Sequence, residues 1–530
     1  MAIIKSNFFF ENKRWVITSL IIATFILLPV LVLILNLFNG QGETLNYLVE
    51  TVLFDYTINT FKLILICCVS ALFFGLIPAW FISNYSFFGR NFFDLVLYLP
   101  LAIPSYIMAF TYIDILSYTG FFQTLLNNIS FVPSSFLNVD YMQIETLGVL
   151  MGLALYPYVY TASRVSFSLI GTNYINVSKN LGLNSAQTFY KIILPLSRPA
   201  IFSGLFLVIM EVLNEYGAVK YFGVNTYTSG IFRSWFSLGD INGAIQLACI
   251  LLVFVLVLFY LEKKTINKSK FYYSKNSDVI NKKLQQKSSF LMTSVCVVPF
   301  LFGFVIPVLF IINNVIITYS DIDFFKLLKL TWNSVYVSTF SAFLIIATAL
   351  FFLFVDRISR RNWSSHINSL ISLGYALPGA VVGLGLILLF SSYSLVGSFF
   401  ILFYAYIIRF LAVGKSPIKS SIEKQPLSFD DTGKNLGLGP FKLLQKIHFP
   451  VNKYALLSAF ILVFIDVMKE LPVTLILRPF NFDTLATQTY EFAIEEMLPL
   501  SSVYSLMIIA LSSVMLLILK SFVDKQIDVS

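Results

Sequence analysis

The chain is short of charge. Of its 530 residues only 12% are Asp, Glu, Lys or Arg, while 58% are hydrophobic. A soluble domain carries about 25% charged residues, so there is too little polar surface here to cover a water-soluble globule. Histidine is nearly absent. His366 and His448 stand far apart, which leaves no imidazole cluster for a metal site. The four cysteines, Cys67, Cys68, Cys249 and Cys296, lie inside apolar runs without ligand-like spacing. They read as packing residues rather than as a disulfide framework. No G-x-x-x-x-G-K-[ST] phosphate loop occurs, so any ATP chemistry must come from another chain. No nucleophile–base pair stands out either, which argues against an embedded enzyme.

What is abundant is long apolar sequence. Runs beyond the roughly 18–20 residues that cross a bilayer recur from end to end. We expect an all-α polytopic membrane protein of about twelve spans, near 15–38, 61–83, 93–115, 146–170, 198–221 and 243–262, then 289–318, 334–356, 367–391, 393–414, 453–477 and 502–522. The run from Trp15 to Phe38 is too long for the apolar region of a signal peptide and reads as a retained first span.

The net charge of +9 sits in short loops. Residues 263–287, KKTINKSKFYYSKNSDVINKKLQQK, hold eight lysines and one acid, Asp278. They read as a basic linker between a first half (1–262) and a second (288–530). Basic loops favour the cytoplasmic side. Lys5, Lys13 and Arg14, then Arg90, then Arg357, Arg360 and Arg361 fit the same side, while SDIDFF (320–325) and EFAIEEM (491–497) are poor in cations. Six spans per half would then place both termini in the cytoplasm.

The halves repeat one another. SKNLGLNSAQTFYKIILP (178–195) and GKNLGLGPFKLLQKIHFP (433–450) agree at 8 of 18 positions, 255 residues apart. TINT (57–60) matches TWNS (331–334), and Pro104 matches Pro378, both 274 apart. About 19 extra residues therefore fall in the first half, in the loop 116–145. Equal span order means parallel halves related by an axis along the membrane normal.

The repeated phrase predicts a local shape, over about 173–195 and 428–450. Asn173 and Ser428 are N-cap types, and Ser428 with Asp431 spells a capping box. Gly182 and Gly437 suit the positive-φ position after a helix. Asn184 and Gly439 can start a second helix, with Pro440 at its first position. That helix should stop before Pro195 and Pro450, each of which opens the next span. Lys179, Lys191, Lys434 and Lys446 give the element a cationic face. A surface helix pair lying on anionic lipid would also be basic. It would not need this glycine and proline at fixed spacing twice, which favours two equivalent docking knobs for a partner.

This pattern resembles the "EAA" loop of ABC importer permeases, in which Gly and the Pro of Ile-x-Leu-Pro keep this distance. The triplet itself stands as Asn176-Val177-Ser178 and Asp431-Thr432-Gly433, a departure from Glu-Ala-Ala. The resemblance implies that Lys179, Asn180, Leu181, Gly182, Leu183 and Pro195, and Lys434, Asn435, Leu436, Gly437, Leu438 and Pro450, seat two separate ATPase subunits. Those subunits would hold the ATP.

Carboxylates repeat inside apolar sequence as well. Glu211 and Glu215 align with Asp466 and Glu470 at the same spacing of 255. A twelve-residue rise from Pro199 puts Glu211 near mid-depth, with Glu215 on the same helix face. Each buried carboxylate costs about 2.5–3.5 kcal/mol at the centre of a bilayer. They either pair locally, Asp466 with Lys469 and Glu470 with Arg478, or line a hydrated path suited to a hard cation. Pro104 and Pro378 break helices, which bilayers tolerate where protein or water satisfies the freed groups. Gly379 and Gly383 read as close helix packing.

MEVLNEYGAVKYFG, GIFRSWFSLGD and KELPVTLILRPFNFDTLATQTYEFAIEE resemble the fused ferric-iron permeases served by a periplasmic binding protein. Thiamine permeases look similar, and polyamine, sulfate and phosphonate permeases are more distant. The resemblance implies an inner-membrane importer with two cytoplasmic ATPases and ferric iron as substrate. An ion-coupled secondary transporter would account for the carboxylates but not for the paired knobs.

Overall fold

The computed structural model describes residues 2–37, 42–127, 140–267, 282–283, 286–359, 367–368, 370–393 and 395–529. Most of the basic linker, the centre of the loop 116–145, His366, Arg360 and Arg361 lie outside the described residues. Nearly everything described is helical. A two-residue parallel ladder pairs Tyr85–Ser86 with Lys282–Lys283.

Among the described residues eight helices are long and apolar enough to span a bilayer, or up to ten spans if two bent pairs each count once. The bends are 92° between Arg90–Ala102 and Ser105–Leu125, and 79° between Pro440–Val451 and Lys453–Met468. Two of the twelve expected spans take other forms. Residues 146–170 fall inside one longer helix, Ile144–Asn180. Residues 367–391 divide into a 3₁₀ turn, Ser372–Ala376, and a twelve-residue helix, Gly379–Phe390. Pro378 causes that division, and Pro104 does the same between Leu99–Ala102 and Ser105–Leu116. The two prolines share one conformation, φ −55 and ψ 145 against φ −58 and ψ 144.

The molecule divides into two compact units, and they do not follow the linker. One holds Met1–Gln41, Phe324–Thr487 and Leu511–Ser530, and the other holds Gly42–Asp323 and Gln488–Ala510. The first helix thus packs with second-half sequence, and Gln286–Ile317 packs with first-half sequence.

In the unit built on Gly42–Asp323, the helices Leu53–Asn84 and Ile144–Asn180 lie backbone to backbone. A Cβ on Gly152 would stand 2.4 Å from Ser70 Cβ, and one on Gly148 2.7 Å from Ile66 Cγ2. Gly148 and Gly152 are therefore a small-xxx-small contact beyond the pair at Gly379 and Gly383. The Leu194–Asn214 helix joins through Gly204, 3.0 Å from Tyr158 O by the same measure. Gln286–Ile317 is tied on by polar bonds: Tyr112 Oη donates to Phe302 O at 2.5 Å, and Asn314 Nδ2 to Asp114 Oδ2 at 2.9 Å.

The other unit repeats the three-helix core with Phe324–Ser359, Phe399–Glu423 and Lys453–Met468. Gly414 sits at their meeting point, against Ile345 and Val463. Ala2–Leu37 lies along Gly379–Phe390, where a Cβ on Gly385 would fall 2.6 Å from Pro29 O. Lower down, Trp15 stacks on Phe351 at 5.5 Å and meets Phe354 edge-on at 5.3 Å.

Candidate functional site: paired levers and carboxylates at helix breaks

Each copy of the repeated phrase folds as a lever between two long helices. Gly182 and Gly437 both take φ +75, and a Cβ at either would meet open space. Backbone conformation, not crowding, is what calls for glycine there. The turn closes with Leu183 N–H on Ser178 O and Leu438 N–H on Gly433 O, both 3.0 Å, the long bond of a Schellman motif. Next comes the second short helix. In the first copy Asn184 and Gln187 exchange bonds, Gln187 N to Asn184 Oδ1 at 2.8 Å and Asn184 N to Gln187 Oε1 at 3.1 Å. In the second copy Gly439 is the N-cap with Pro440 behind it.

The lever starts depart from expectation. Asn173 lies inside Ile144–Asn180 and starts nothing, because an uninterrupted helix has no orphan N–H for it to cap. Ser428 is the first helical residue, and the cap is Leu427 without a side-chain bond, so the capping box with Asp431 does not form. The lever ends depart too. The chain does not stop before Pro195 and Pro450. It widens into a π turn, Phe189–Ile193 and Leu444–His448, and runs on. The N–H groups of Leu194 and Phe449 bond back five residues, to Phe189 O and Leu444 O. A wider turn makes room for a ring that has no N–H to give.

The helical segments on either side of each glycine turn are clasped differently. In the first copy Ser178 Oγ and Thr188 Oγ1 share a buried bond of 2.9 Å. At the aligned positions of the second, Gly433 receives Leu443, whose Cδ1 would be 2.5 Å from an added Cβ. A polar pair in one lever is a small–large apolar pair in the other. Outward, Leu181 and Leu436 are 71% and 75% exposed, and Tyr190 and Phe441 are exposed beside them. Such apolar residues at a tip fit a partner surface. Asn180 and Asn435 are exposed too, Lys434 reaches Asp431 at 3.9 Å, and Pro195 is half-buried.

The carboxylates sit at helix ends rather than at mid-helix. Glu211 is in the last turn of Leu194–Asn214, and Glu215 follows its end. Asp466 is likewise in the last turn of Lys453–Met468, with Glu470 beyond it. Glu215 is therefore not on the Glu211 helix face. Gly217 and Pro472 occupy aligned positions just after the breaks. Each break glutamate then serves the next short helix. Glu215 Oε1 accepts from Ala218 N at 3.0 Å, and Glu470 Oε1 accepts from Val473 N at 3.1 Å. Their other oxygens differ. Glu215 takes the Ser105 hydroxyl, one residue past Pro104. Glu470 Oε2 lies 3.2 Å from Arg409 Nε, both side chains buried. Asp466 pairs with Lys469 at 2.9 Å, as expected. Arg478 pairs with Asp483 instead of Glu470. Arg409 displaces it because the break turns Glu470 inward, toward Phe399–Glu423.

Residues 71–264, which include the first lever, match the family described as "Binding-protein-dependent transport system inner membrane component". The Fe(3+)-transport system permease protein FbpB 2 of Haemophilus influenzae is 26% identical over 485 residues, covering 88% of this chain and 90% of that protein. Over residues 71–264 this chain carries the permease domain of binding-protein-dependent transport systems. The permease also shows 29% identity over 152 residues to the sulfate transport system permease protein CysT of Salmonella typhimurium, spanning 29% of the permease and 52% of that relative. The CysT protein of Escherichia coli gives the same figures.

One repeated device of the permease escaped the sequence reading. Thr226 with Ser229 and Thr484 with Thr487 form capping boxes at the starts of Tyr227–Phe232 and Leu485–Ile494. The first N–H of each helix donates to a hydroxyl on a long helix, Tyr227 N to Thr60 Oγ1 at 3.3 Å and Leu485 N to Ser334 Oγ at 2.8 Å. Thr60 and Ser334 end the matched TINT and TWNS. The repeat in those words was the available signal. Among the described residues no group of three His, Cys, Asp or Glu side chains is placed to hold a metal ion.

Proposed function

We propose that this permease imports ferric iron handed over by a binding protein at the outer face, and that two separate ATPase subunits, which bind the ATP, drive it from the cytoplasm through the paired levers. The similarity to the Fe(3+)-transport permease along 88% of the chain is the observation that carries this reading. The levers support the mechanical part. Each has an apolar tip; the first π turn runs into the spanning helix Leu194–Asn214, the second reaches Lys453–Met468 around a 79° bend, and both spanning helices end at a carboxylate. A push on the tip reaches that end through unbroken helix in the first copy and around the bend in the second. On this reading both termini and both levers are cytoplasmic, and Glu211, Glu215, Asp466, Glu470 and the breaks at Pro104 and Pro378 border the path. Ferric iron is a hard cation, and oxygen donors suit it.

The sulfate permease relatives favour an oxyanion instead, but each covers only 29% of this chain, against 88% for the Fe(3+)-transport permease. Uptake of radiolabelled ferric iron, sulfate and thiamine into proteoliposomes holding the permease, its ATPase subunits and the binding protein decides among them. Iron uptake that requires ATP is the expected result. Uptake of sulfate or thiamine alone would overturn the substrate, and iron uptake driven by an ion gradient without the ATPase would overturn the mechanism.

A further inference from the structure

Beneath the second lever lies a buried, charged joint whose three side chains have no charged or imidazole counterpart in the first copy. Asp430, in the helix Ser428–Asn435, receives Arg357 Nε on Oδ2 at 2.6 Å and meets His448 Nε2 through Oδ1 at 2.6 Å. The three side chains are 3%, 6% and 1% exposed. Arg357, near the end of Phe324–Ser359, also gives Nη1 to Ile422 O at 2.7 Å and Nη2 to Pro426 O at 3.1 Å. It thus grips the chain on the approach to the lever as well as the lever itself. His448 closes the π turn, and Phe354 meets its ring edge-on at 5.4 Å. Phe354, Ile358 and Leu443 form an apolar floor on which Trp15 of the first helix rests. At the positions aligned with Arg357, Asp430 and His448 the first half carries Ser83, Ile175 and Ile193.

We infer that the Arg357–Asp430–His448 triad is a positioning joint that carries movement of the second lever into the Phe324–Ser359 helix, so the two levers transmit force unequally. The triad fits that task. Charge-assisted bonds between buried side chains are stiff and directional, whereas apolar side chains can slide. Both short helices of the second lever hold one end of it, and one long helix holds the other. A pull on the lever therefore reaches Phe324–Ser359 without passing through the spanning helix that follows. At the first lever the corresponding long helix is met through apolar rings instead, Trp80 of Leu53–Asn84 against Phe189 of the π turn at 4.9 Å.

The inference rests on the lever reading of function, and the test separates the two. In the full chain, Asp430→Asn removes the charge at the centre of the joint. His448→Ile supplies the residue of the first copy and guards against a misfolded first variant. Three quantities are read in the assembled transporter: copurification of the ATPase subunits, iron taken up per ATP hydrolysed, and amide exchange over 428–448. We expect retained copurification, a severalfold fall in uptake per ATP, and at least tenfold faster exchange in 428–448 with 173–195 unchanged. A merely structural loss would lower uptake and hydrolysis together and leave their ratio alone. Unchanged exchange and unchanged uptake per ATP in both variants would overturn the joint, as would a parallel fall of uptake and hydrolysis. Absence of ATPase copurification from the unaltered permease would overturn the lever reading, and the exchange result would still decide on the joint.

Discussion

At the scale of single residues, the break glutamates carry different loads. Glu470 holds a buried arginine, and stranding that charge costs about 3–5 kcal/mol. Glu470→Gln should therefore lower the melting temperature in detergent more than Glu215→Gln, in which the amide oxygen can still accept from Ala218 N. Equal melting shifts from the two would contradict this division. Asp430 gives a pH signature. Burial pushes its carboxyl up, but the bonds to His448 and Arg357 outweigh that and hold it below the usual carboxylate range. A depressed carboxyl stabilises the fold above its unfolded value of about 3.9 and loses that contribution as pH falls through the folded value. Exchange over 428–448 should thus accelerate only on acidification below about pH 4. Asp430→Asn should abolish that acid step, and its persistence would point to another group.

Some of this was readable one residue at a time. Gly182 and Gly437 announced their positive φ because a Schellman turn is written within six residues. Asn173 and Ser428 misled for the complementary reason: cap chemistry is local, but whether a helix pauses there depends on the sequence upstream. Arg409 could not have been named for Glu470. The partners are 61 positions apart, and only the break after Met468 brings them together.

At the scale of elements, the π turns are the least expected feature and the most consequential. Both precede a proline by one residue, and a third, Leu301–Val305, does the same before Pro307. Pro195→Ala or Pro450→Ala would restore an N–H and let the turn tighten to α pitch. Losing one residue from the turn rotates the lever by roughly 100° about the helix axis. Spin-label distances between lever and span should shift, with uptake falling. Unmoved distances would show that the turn does not depend on the proline. Elsewhere, Gly152→Leu has no room at 2.4 Å from Ser70, and should block assembly of the Gly42–Asp323 unit, seen as loss of a folded peak on size exclusion. The repeat revealed the levers and helix breaks because they are sequence-local. The crossing at Gly148 and Gly152 was visible as a glycine spacing, but which helix it faces was not.

At the scale of the whole molecule, duplication and packing follow different boundaries. The repeat divides the chain at the linker, while the compact units exchange their first helices across it. Apolar spans look alike to a sequence reading, and nothing in Ala2–Leu37 names Gly379–Phe390 as its partner. Two expectations follow. A chain cut within 263–287 and coexpressed as two pieces should reassemble, because each unit draws on both. A chain begun at residue 42 should leave Gly385 and its neighbours without a cover, and be degraded or aggregate. Stable accumulation of that shortened chain, judged by fluorescence-detected gel filtration, would count against a structural role for the first helix.

The exchanged helix also sets a schedule for biosynthesis. Ala2–Leu37 enters the bilayer ahead of the helices it packs on, and the earliest of these, Phe324–Ser359, begins 287 positions after Leu37. At about 5–20 residues per second, that span waits roughly 15–60 s in lipid before the first helix of its own compact unit is made. A nascent chain halted in that interval holds an orphan span, and the insertion machinery or a membrane chaperone must shelter it until the second half arrives.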